Sequence, residues 1–232
     1  MQLPSLTEGV ILKRYKRFFA DVQLPNGDVV VAHVPNTGSM KTCWAEGLPA
    51  FLSPAANPER KLRWTLELTS TGNNFIIVNT ANANKLAFEA LKTGTLAPFK
   101  GFTEVLPEQS VLDSRFDFCL KGPQGDCWVE VKNVTLMEEP GLVSFPDAVS
   151  TRGQKHLRDL IELKKQGIRT AMLYVVSRSD AARFTSAKKI DPAYAALLKE
   201  AHAAGVEIYA FRVEKIADQY VLKTQLPIEG LS

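Results

Sequence analysis

Residues 10–80 are a succession of short β-type runs broken by turn residues, with no convincing long helical pattern among them. Val10 to Leu24 reads as an extended run, followed by Pro25-Asn26-Gly27-Asp28 and then Val29 to Val34. Asn-Gly between two apolar runs is a strong hairpin signal, because both residues tolerate the positive φ of a type I′ turn. After a loop from Pro35 to Met40, further short strands are expected at Ala50 to Leu52, Leu62 to Thr69 and Phe75 to Asn79. Short strands, frequent turns and no long helix predict a small barrel or meander.

From Asn82 the pattern changes. Asn82 to Lys92 has helical spacing and ends at Gly94, a natural residue just past a helix. Strands are expected at Phe116 to Leu120 and Cys127 to Val134, then a long polar connection through Pro140-Gly141 and Phe145-Pro146-Asp147. Thr151 to Gln166 predicts a second helix, with Lys164 and Lys165 in its last turn and Gly167 after it. Ala171 to Ser177 is a buried-type strand. The best-marked helix is Asp191 to Ala204, with Asp191 as N-cap, Pro192 in the first position and Gly205 beyond the end. Val206 to Val213 completes a strand–helix–strand alternation. The chain is therefore expected to be α/β (α+β overall), a β-barrel domain over residues 1–81 joined to an α/β domain over residues 82–232.

Composition narrows the class. No apolar stretch approaches the roughly 20 residues that span a bilayer, and the first residues lack a signal-peptide pattern, so a cytoplasmic protein is expected. Cys43, Cys119 and Cys127 are odd in number and lack CxxC spacing, which argues against a disulfide framework or a zinc knuckle. His33, His156 and His202 show no metal-binding spacing. The net charge of +3 is too small by itself to imply a polyanion partner; the placement of the charges decides.

The chemistry is concentrated in Ser114-Arg115-Phe116-Asp117-Phe118-Cys119-Leu120 and Cys127-Trp128-Val129-Glu130-Val131-Lys132, joined by the turn-rich stretch Lys121 to Asp126. The two segments should pair as an antiparallel hairpin. A turn centred near Pro123-Gln124 puts Asp117 roughly opposite Glu130, and opposed residues share a face. Alternation adds Lys132 to that face and turns Phe116, Phe118, Val129 and Val131 toward a core. Opposed carboxylates repel, so a cation between them is a natural reason for the arrangement. Their oxygens suit Mg²⁺ or Mn²⁺, with Lys132 beside a phosphodiester under attack. An ordinary solvated strand also presents Asp, Glu and Lys together, and spacing alone does not separate the two readings.

The chain resembles the sugar fermentation stimulation protein A family over essentially its whole length. The resemblance is carried by Arg14-Tyr15-Lys16-Arg17-Phe18 with Ala20-Asp21-Val22, and by His33 to Met40. It continues through Ser114 to Asp117, Val129 to Leu136 and Phe145 to Leu157. The resemblance implies an N-terminal OB-like barrel and a C-terminal PD-(D/E)xK (restriction-endonuclease-like) domain. It also implies DNA binding linked to expression of sugar-utilisation genes, including those for maltose. The nuclease motif maps onto Asp117, Glu130 and Lys132, with Phe116 where many relatives carry an aliphatic residue. Such nucleases often add a carboxylate from the preceding helix, and Glu89 is the candidate here, beside its reading as an ordinary helix glutamate.

Three further segments are candidates for holding nucleic acid. Lys13 to Phe19 interleaves Arg14, Lys16 and Arg17 with aromatic residues on an expected barrel strand, suiting phosphates and bases. The loop carrying Asn36, Thr37 and Ser39 offers backbone N–H groups and hydroxyls to a phosphate, or is only a demanding turn. Arg152 and Lys155 stand in the first turn of a helix, where an anion is favoured, and Gln154 or His156 is placed to orient water. The partner expected is DNA, with a second copy of the chain as a further candidate. The alternatives are an active Mg²⁺- or Mn²⁺-dependent nuclease and a carbohydrate-sensing protein. No helix-turn-helix supports an operator-reading repressor.

Overall fold

The computed structural model describes residues 1–57 and 59–231. The barrel is built from β1 (Thr7–Tyr15), β2 (Phe19–Gln23), β3 (Val29–His33), β4 (Pro49–Pro54), β5 (Trp64–Thr69) and β6 (Ile76–Ile77). Strand order is β3-β2-β1-β4-β5-β6, and an added parallel pairing of β3 with β5 closes five of these strands into a ring. Ile11, Val22, Ala32, Leu52 and Leu66 fill its interior. Gly9 is required where β1 crosses β2, since a Cβ there would lie 2.6 Å from Val22 Cγ1 and 2.7 Å from the Gln23 carbonyl oxygen.

The expected run from Val10 to Leu24 is two strands. Tyr15 pairs with Phe19, leaving Lys16, Arg17 and Phe18 as the turn. Lys16 and Arg17 adopt φ of 48° and 64°, values that side-chain-bearing residues rarely take. The Arg14 guanidinium ties the turn down by donating to the Arg17 carbonyl at 2.8 Å.

The rest of the chain is a mixed α/β layer structure. It contains α1 (Ala81–Lys92), β7 (Glu104–Val111), β8 (Ser114–Lys121), β9 (Cys127–Val134), β10 (Leu136–Glu139) and β11 (Leu142–Phe145). There follow α2 (Thr151–Lys165), β12 (Arg169–Val176), β13 (Arg183–Ser186), α3 (Pro192–Ala203), β14 (Glu207–Ile216), β15 (Gln219–Gln225) and β16 (Ile228–Glu229). The main sheet has the order β15-β14-β12-β9-β8-β7, parallel at its centre and antiparallel at both sides. Its α1 face packs Leu86 and Ala90 on Phe118, Val129 and Leu173. Its other face packs Leu157 and Leu160 of α2 and Leu198 of α3 on Phe116, Met172 and Tyr174. Burial on both faces explains why β12 is almost entirely apolar.

The connection expected to be polar loop is partly β-structure, a small sheet of order β10-β11-β13-β16. Its strands are short, and beyond the β10–β11 hairpin they pair with non-sequential neighbours, so no local alternation announces them. Phe116 and Phe118 lie on opposite faces of the main sheet rather than together. The β7–β8 register is the same on either side of this point, but a Glu108–Asp117 pair is missing from the ladder. Pro107 pairs with Phe118 and Gln109 with Phe116, while Glu108 between them takes a φ of 55°.

The barrel is locked to the α/β layers. Buried Arg178 donates to the Thr42 carbonyl at 3.3 Å and the Thr135 carbonyl at 2.8 Å, while its other edge pairs with Asp180. Met137 N–H donates to Thr42 Oγ1 at 2.9 Å, and Ile77 N–H to the Ser177 carbonyl at 2.8 Å. Among the described residues, no helix is long and apolar enough to cross a membrane.

Candidate metal centre and nucleic-acid interface

The β8–β9 ladder ends at Phe118 opposite Val129, one step before Asp117 and Glu130. Extended by one step the register would put Asp117 across from Glu130 as expected, but the ladder stops short of that pair and the shared face is not formed: Asp117 turns toward Asn84 of α1 and Glu130 toward His156 of α2. Continued pairing would present Val131 N–H to the opposite strand's backbone. Instead the Asp117 carboxylate takes that N–H through Oδ2 at 2.8 Å. Its Oδ1 accepts from Asn84 Nδ2, in the first turns of α1, at 2.6 Å.

Glu130 points to the α2 side of the sheet and is only 2% exposed. Its Oε1 accepts from Lys132 Nζ and is paired with His156 Nδ1, both at short range. A carboxylate on Nδ1 leaves His156 Nε2 as an acceptor, and Arg152 Nε approaches it at 3.5 Å. A chain of contacts thus runs from the sheet to the start of α2 through Glu130, His156 and Arg152.

The two carboxyls are tuned in opposite directions. Burial is the largest influence on Asp117, and with the nearby Glu130 charge it pushes the carboxyl up to about 6 against the Val131, Lys132 and Asn84 contacts. Burial also disfavours ionised Glu130, but the His156 hydrogen bond and the Lys132 charge outweigh it and hold that carboxyl below the usual range. One carboxylate is secured as an anion, and the other carries unrelieved negative charge in its neighbourhood. Among the described residues no group of three or more His, Cys, Asp or Glu side chains is set to hold a metal. Two carboxylates are the usual protein share for a cation that also uses water and phosphate oxygens.

The remaining predicted residues divide sharply. Glu89 does not join Asp117; it pairs with the Met1 ammonium at 2.5 Å beside β15. Five helical residues separate it from Asn84, a rotation of roughly 140°, so both cannot face one strand. Asn84 is the α1 residue that sequence reasoning missed, and its only signal is a poor helix former near a helix start. Arg14 is not free for phosphate. Its guanidinium holds the Asn36, Gly38 and Ser39 carbonyls at 3.1, 3.1 and 3.2 Å.

Lys155 is likewise engaged, by the Asp113 carbonyl, Ser114 Oγ and Asp159. Gln154 braces Asp191, the α3 N-cap, at 3.0 and 3.1 Å rather than orienting water. Ser39 N–H donates to Asp147 Oδ2 at 2.7 Å, and Asn36 is buried with its amide bonded to the Val78 carbonyl and to Gly38 N–H. The Asn36–Ser39 loop is thus held by contacts within the protein. Lys16 sits in the β1–β2 turn rather than on a strand.

Arg17, Thr37, Lys132 and Arg152, with the Asn36 backbone, do come together. They line a cleft of ≈ 580 Å³ between the barrel and the α/β layers. Asp117 opens instead onto a neighbouring depression shared with Asn84, Lys85 and Phe88. Lys132 belongs to the cleft and touches Glu130, which links Glu130, but not the Asp117 depression, to the cleft wall.

Comparison with known proteins fits this two-part architecture. The "Sugar fermentation stimulation protein RE domain" model matches residues 81–219, and the "SfsA N-terminal OB domain" model matches residues 12–78. The chain belongs to the sugar fermentation stimulation protein family. It is 44% identical to the sugar fermentation stimulation protein homolog of Syntrophotalea carbinolica, covering 98% of this chain and 99% of that one. The homolog of Geobacter sulfurreducens is 45% identical, with 98% of each chain covered. The solved structure of Pyrococcus furiosus SfsA in complex with Ca²⁺ superposes with a TM-score of 0.87 at 28% identity, covering 99% of this chain and 98% of that one. The barrel is accordingly an OB domain, joined to a mixed α/β domain of the same family.

Proposed function

We propose that this chain binds DNA with little sequence preference at the inter-domain cleft, and that Asp117 and Glu130 hold Mg²⁺ or Mn²⁺ beside it. The observation carrying the reading is two neighbouring carboxyls, Glu130 buried against Lys132 of the cleft wall and Asp117 raised to about 6 by burial and by the Glu130 charge. Carboxylate crowding of this kind is favourable once a divalent cation shares the site. The residues present fit such an ion, and the solved Pyrococcus furiosus relative was obtained with Ca²⁺, which likewise takes oxygen ligands.

When bound, the cation supplies a Lewis-acid charge opposite a phosphate oxygen. Lys132 places a second positive charge at the same wall, and Arg17 and Arg152 offer bidentate donors to the backbone of the nucleic acid. His156 holds Glu130 oriented, and Asn84 and Val131 N–H hold Asp117. The relatives' printed name, sugar fermentation stimulation protein homolog, supports connecting this binding to sugar utilisation. The setting proposed is the bacterial cytoplasm. Low-salt gel-shift titration tests the binding. Wild type is expected to retard DNA and Lys16→Ala/Arg17→Ala to retard it less; equal retention would remove that surface from the account.

A second reading is metal-dependent phosphodiester hydrolysis with the PD-(D/E)xK set Asp117, Glu130 and Lys132. The Lys132–Glu130 contact favours it, because it puts the lysine next to a metal-ligating carboxylate. It predicts Mn²⁺-dependent cleavage that Asp117→Ala and Lys132→Ala each abolish. Cleavage surviving both changes would eliminate it.

A further inference from the structure

We propose that the inter-domain cleft admits a single unpaired strand of nucleic acid, at an end, gap or flap, and excludes intact duplex. The inference rests on the nucleic-acid reading of the same cleft and specifies its substrate.

Size is the first argument. A volume of ≈ 580 Å³ falls in the range of about 300–1,000 Å³ typical of small-ligand pockets. Duplex recognition needs a far broader contact, with about 1,000–2,500 Å² of protein surface buried. A few nucleotides of one strand fill such a cleft.

The walls are cross-linked and do not part. The barrel side and the α/β side are joined by Ser39 N–H to Asp147 at 2.7 Å and by Met137 N–H to Thr42 at 2.9 Å. Arg178 bridges the Thr42 and Thr135 carbonyls, and Thr135 itself lines the cleft. Admitting a duplex requires breaking these bonds, of which the one from Arg178 to the Thr135 carbonyl is buried.

Charge and lining complete the case. The cleft offers cations at Arg17, Lys132 and Arg152, and one carboxylate, Asp147. Three cations match two or three phosphates, well short of the about 6–10 that strongly salt-dependent duplex binders neutralise. The rest of the wall is suited to bases. Phe145, Pro146 and Val149 give an apolar surface, and Val149 is 67% exposed at its mouth. Asn133 Oδ1 accepts from Ser177 Oγ at 2.5 Å, which leaves its amide N–H donors for a base edge. Bases have accessible faces and edges only where the strand is unpaired.

Fluorescence anisotropy with labelled oligothymidylate of about 12 nucleotides, within the usual single-strand site size, tests the proposal against a duplex of equal length. Titrations are run in EDTA, where neither strand is cut, and repeated with Mn²⁺ present, and the outcomes below are read from both. The single strand is expected to bind at least about tenfold tighter, the scale of one base contact. Its log–log salt slope is expected at about −1.4 to −2.1, from two or three phosphates. Val149→Asp, at an exposed position, is expected to weaken single-strand binding about tenfold without lowering the thermal midpoint. Equal or tighter duplex binding, a slope beyond about −5, or unchanged affinity in Val149→Asp would overturn this proposal while leaving DNA binding intact. Failure to bind either oligonucleotide would instead refute the DNA-binding reading, and this proposal with it.

Discussion

Replacing Asp117 by Asn tests whether the fold carries an unrelieved charge at its candidate site. The Asp117 carboxyl is raised from an ordinary 3.8 to about 6, chiefly by burial and then by the charge of Glu130. Between those two values the folded chain keeps a proton that the unfolded chain has released. Stability contributed by this group therefore falls as pH rises from about 4 to about 6, and stays at the lower level above that. A gap of about two units corresponds to roughly 3 kcal/mol. Asp117→Asn removes the charge and keeps the geometry. The new amide oxygen accepts Val131 N–H, and the Asn84 amide turns over to accept from the new N–H₂. At about pH 8 without metal the variant is expected to be roughly 1–3 kcal/mol more stable, or about 2–12 °C in Tm for a chain of this length. At about pH 4 the difference should vanish, because both side chains are then neutral. Excess Mn²⁺ should raise the wild-type midpoint and leave the variant unmoved. Thermal unfolding followed by circular dichroism after chelator treatment gives all of these readings. A variant no more stable than wild type at the higher pH, or an advantage undiminished at the lower one, would show that Asp117 carries no such charge penalty.

Two further substitutions probe the junction that shapes the cleft. Arg178→Ala leaves the Thr42 and Thr135 carbonyls and Asp180 without their shared cation, and about 3 kcal/mol should be lost in urea unfolding. A loss below about 1 kcal/mol would show that the buried guanidinium does not hold the domains together. Gly38→Ala places a Cβ 2.1 Å from Asp147 Oδ2. The Ser39–Asp147 bond should then break at a cost of about 1–2 kcal/mol, with the penalty absent in an Asp147→Ala background. Additive penalties in that cycle would contradict a direct clash.

Much of this architecture is written in local pattern. The Asp191-Pro192 helix start and the Gly94, Gly167 and Gly205 helix ends are decided by backbone preferences of single residues and are found where those preferences put them, while the Asn26-Gly27 hairpin forms without the expected type I′ turn, since only Gly27 takes a positive φ and its N–H closes a turn onto the Leu24 carbonyl. The β8–β9 hairpin register was legible for the same reason, since the turn from Lys121 to Asp126 sets it, but the departure of Asp117 and Glu130 to different sides of the sheet was not. What local pattern does not carry is contact between distant segments. The β10–β11–β13–β16 sheet, the Arg178 bridge and the Asn84–Asp117 bond each join residues far apart in sequence. Charged residues were the least legible. Arg14, Lys155 and Glu89 look free in the sequence, and only the fold reveals carbonyls, Asp159 and the Met1 ammonium as their partners. His156, a candidate by pattern for orienting water, instead lies against Glu130.

The claim on which the functional account turns is that Asp117 and Glu130 share a divalent cation. Crystals grown with Mn²⁺ and measured for anomalous scattering test it most directly. The account predicts a peak within coordination distance of both carboxylates, with Lys132 alongside, and its loss in Asp117→Asn. A map with no peak at these residues in saturating Mn²⁺, or a peak that survives Asp117→Asn unchanged, would contradict it.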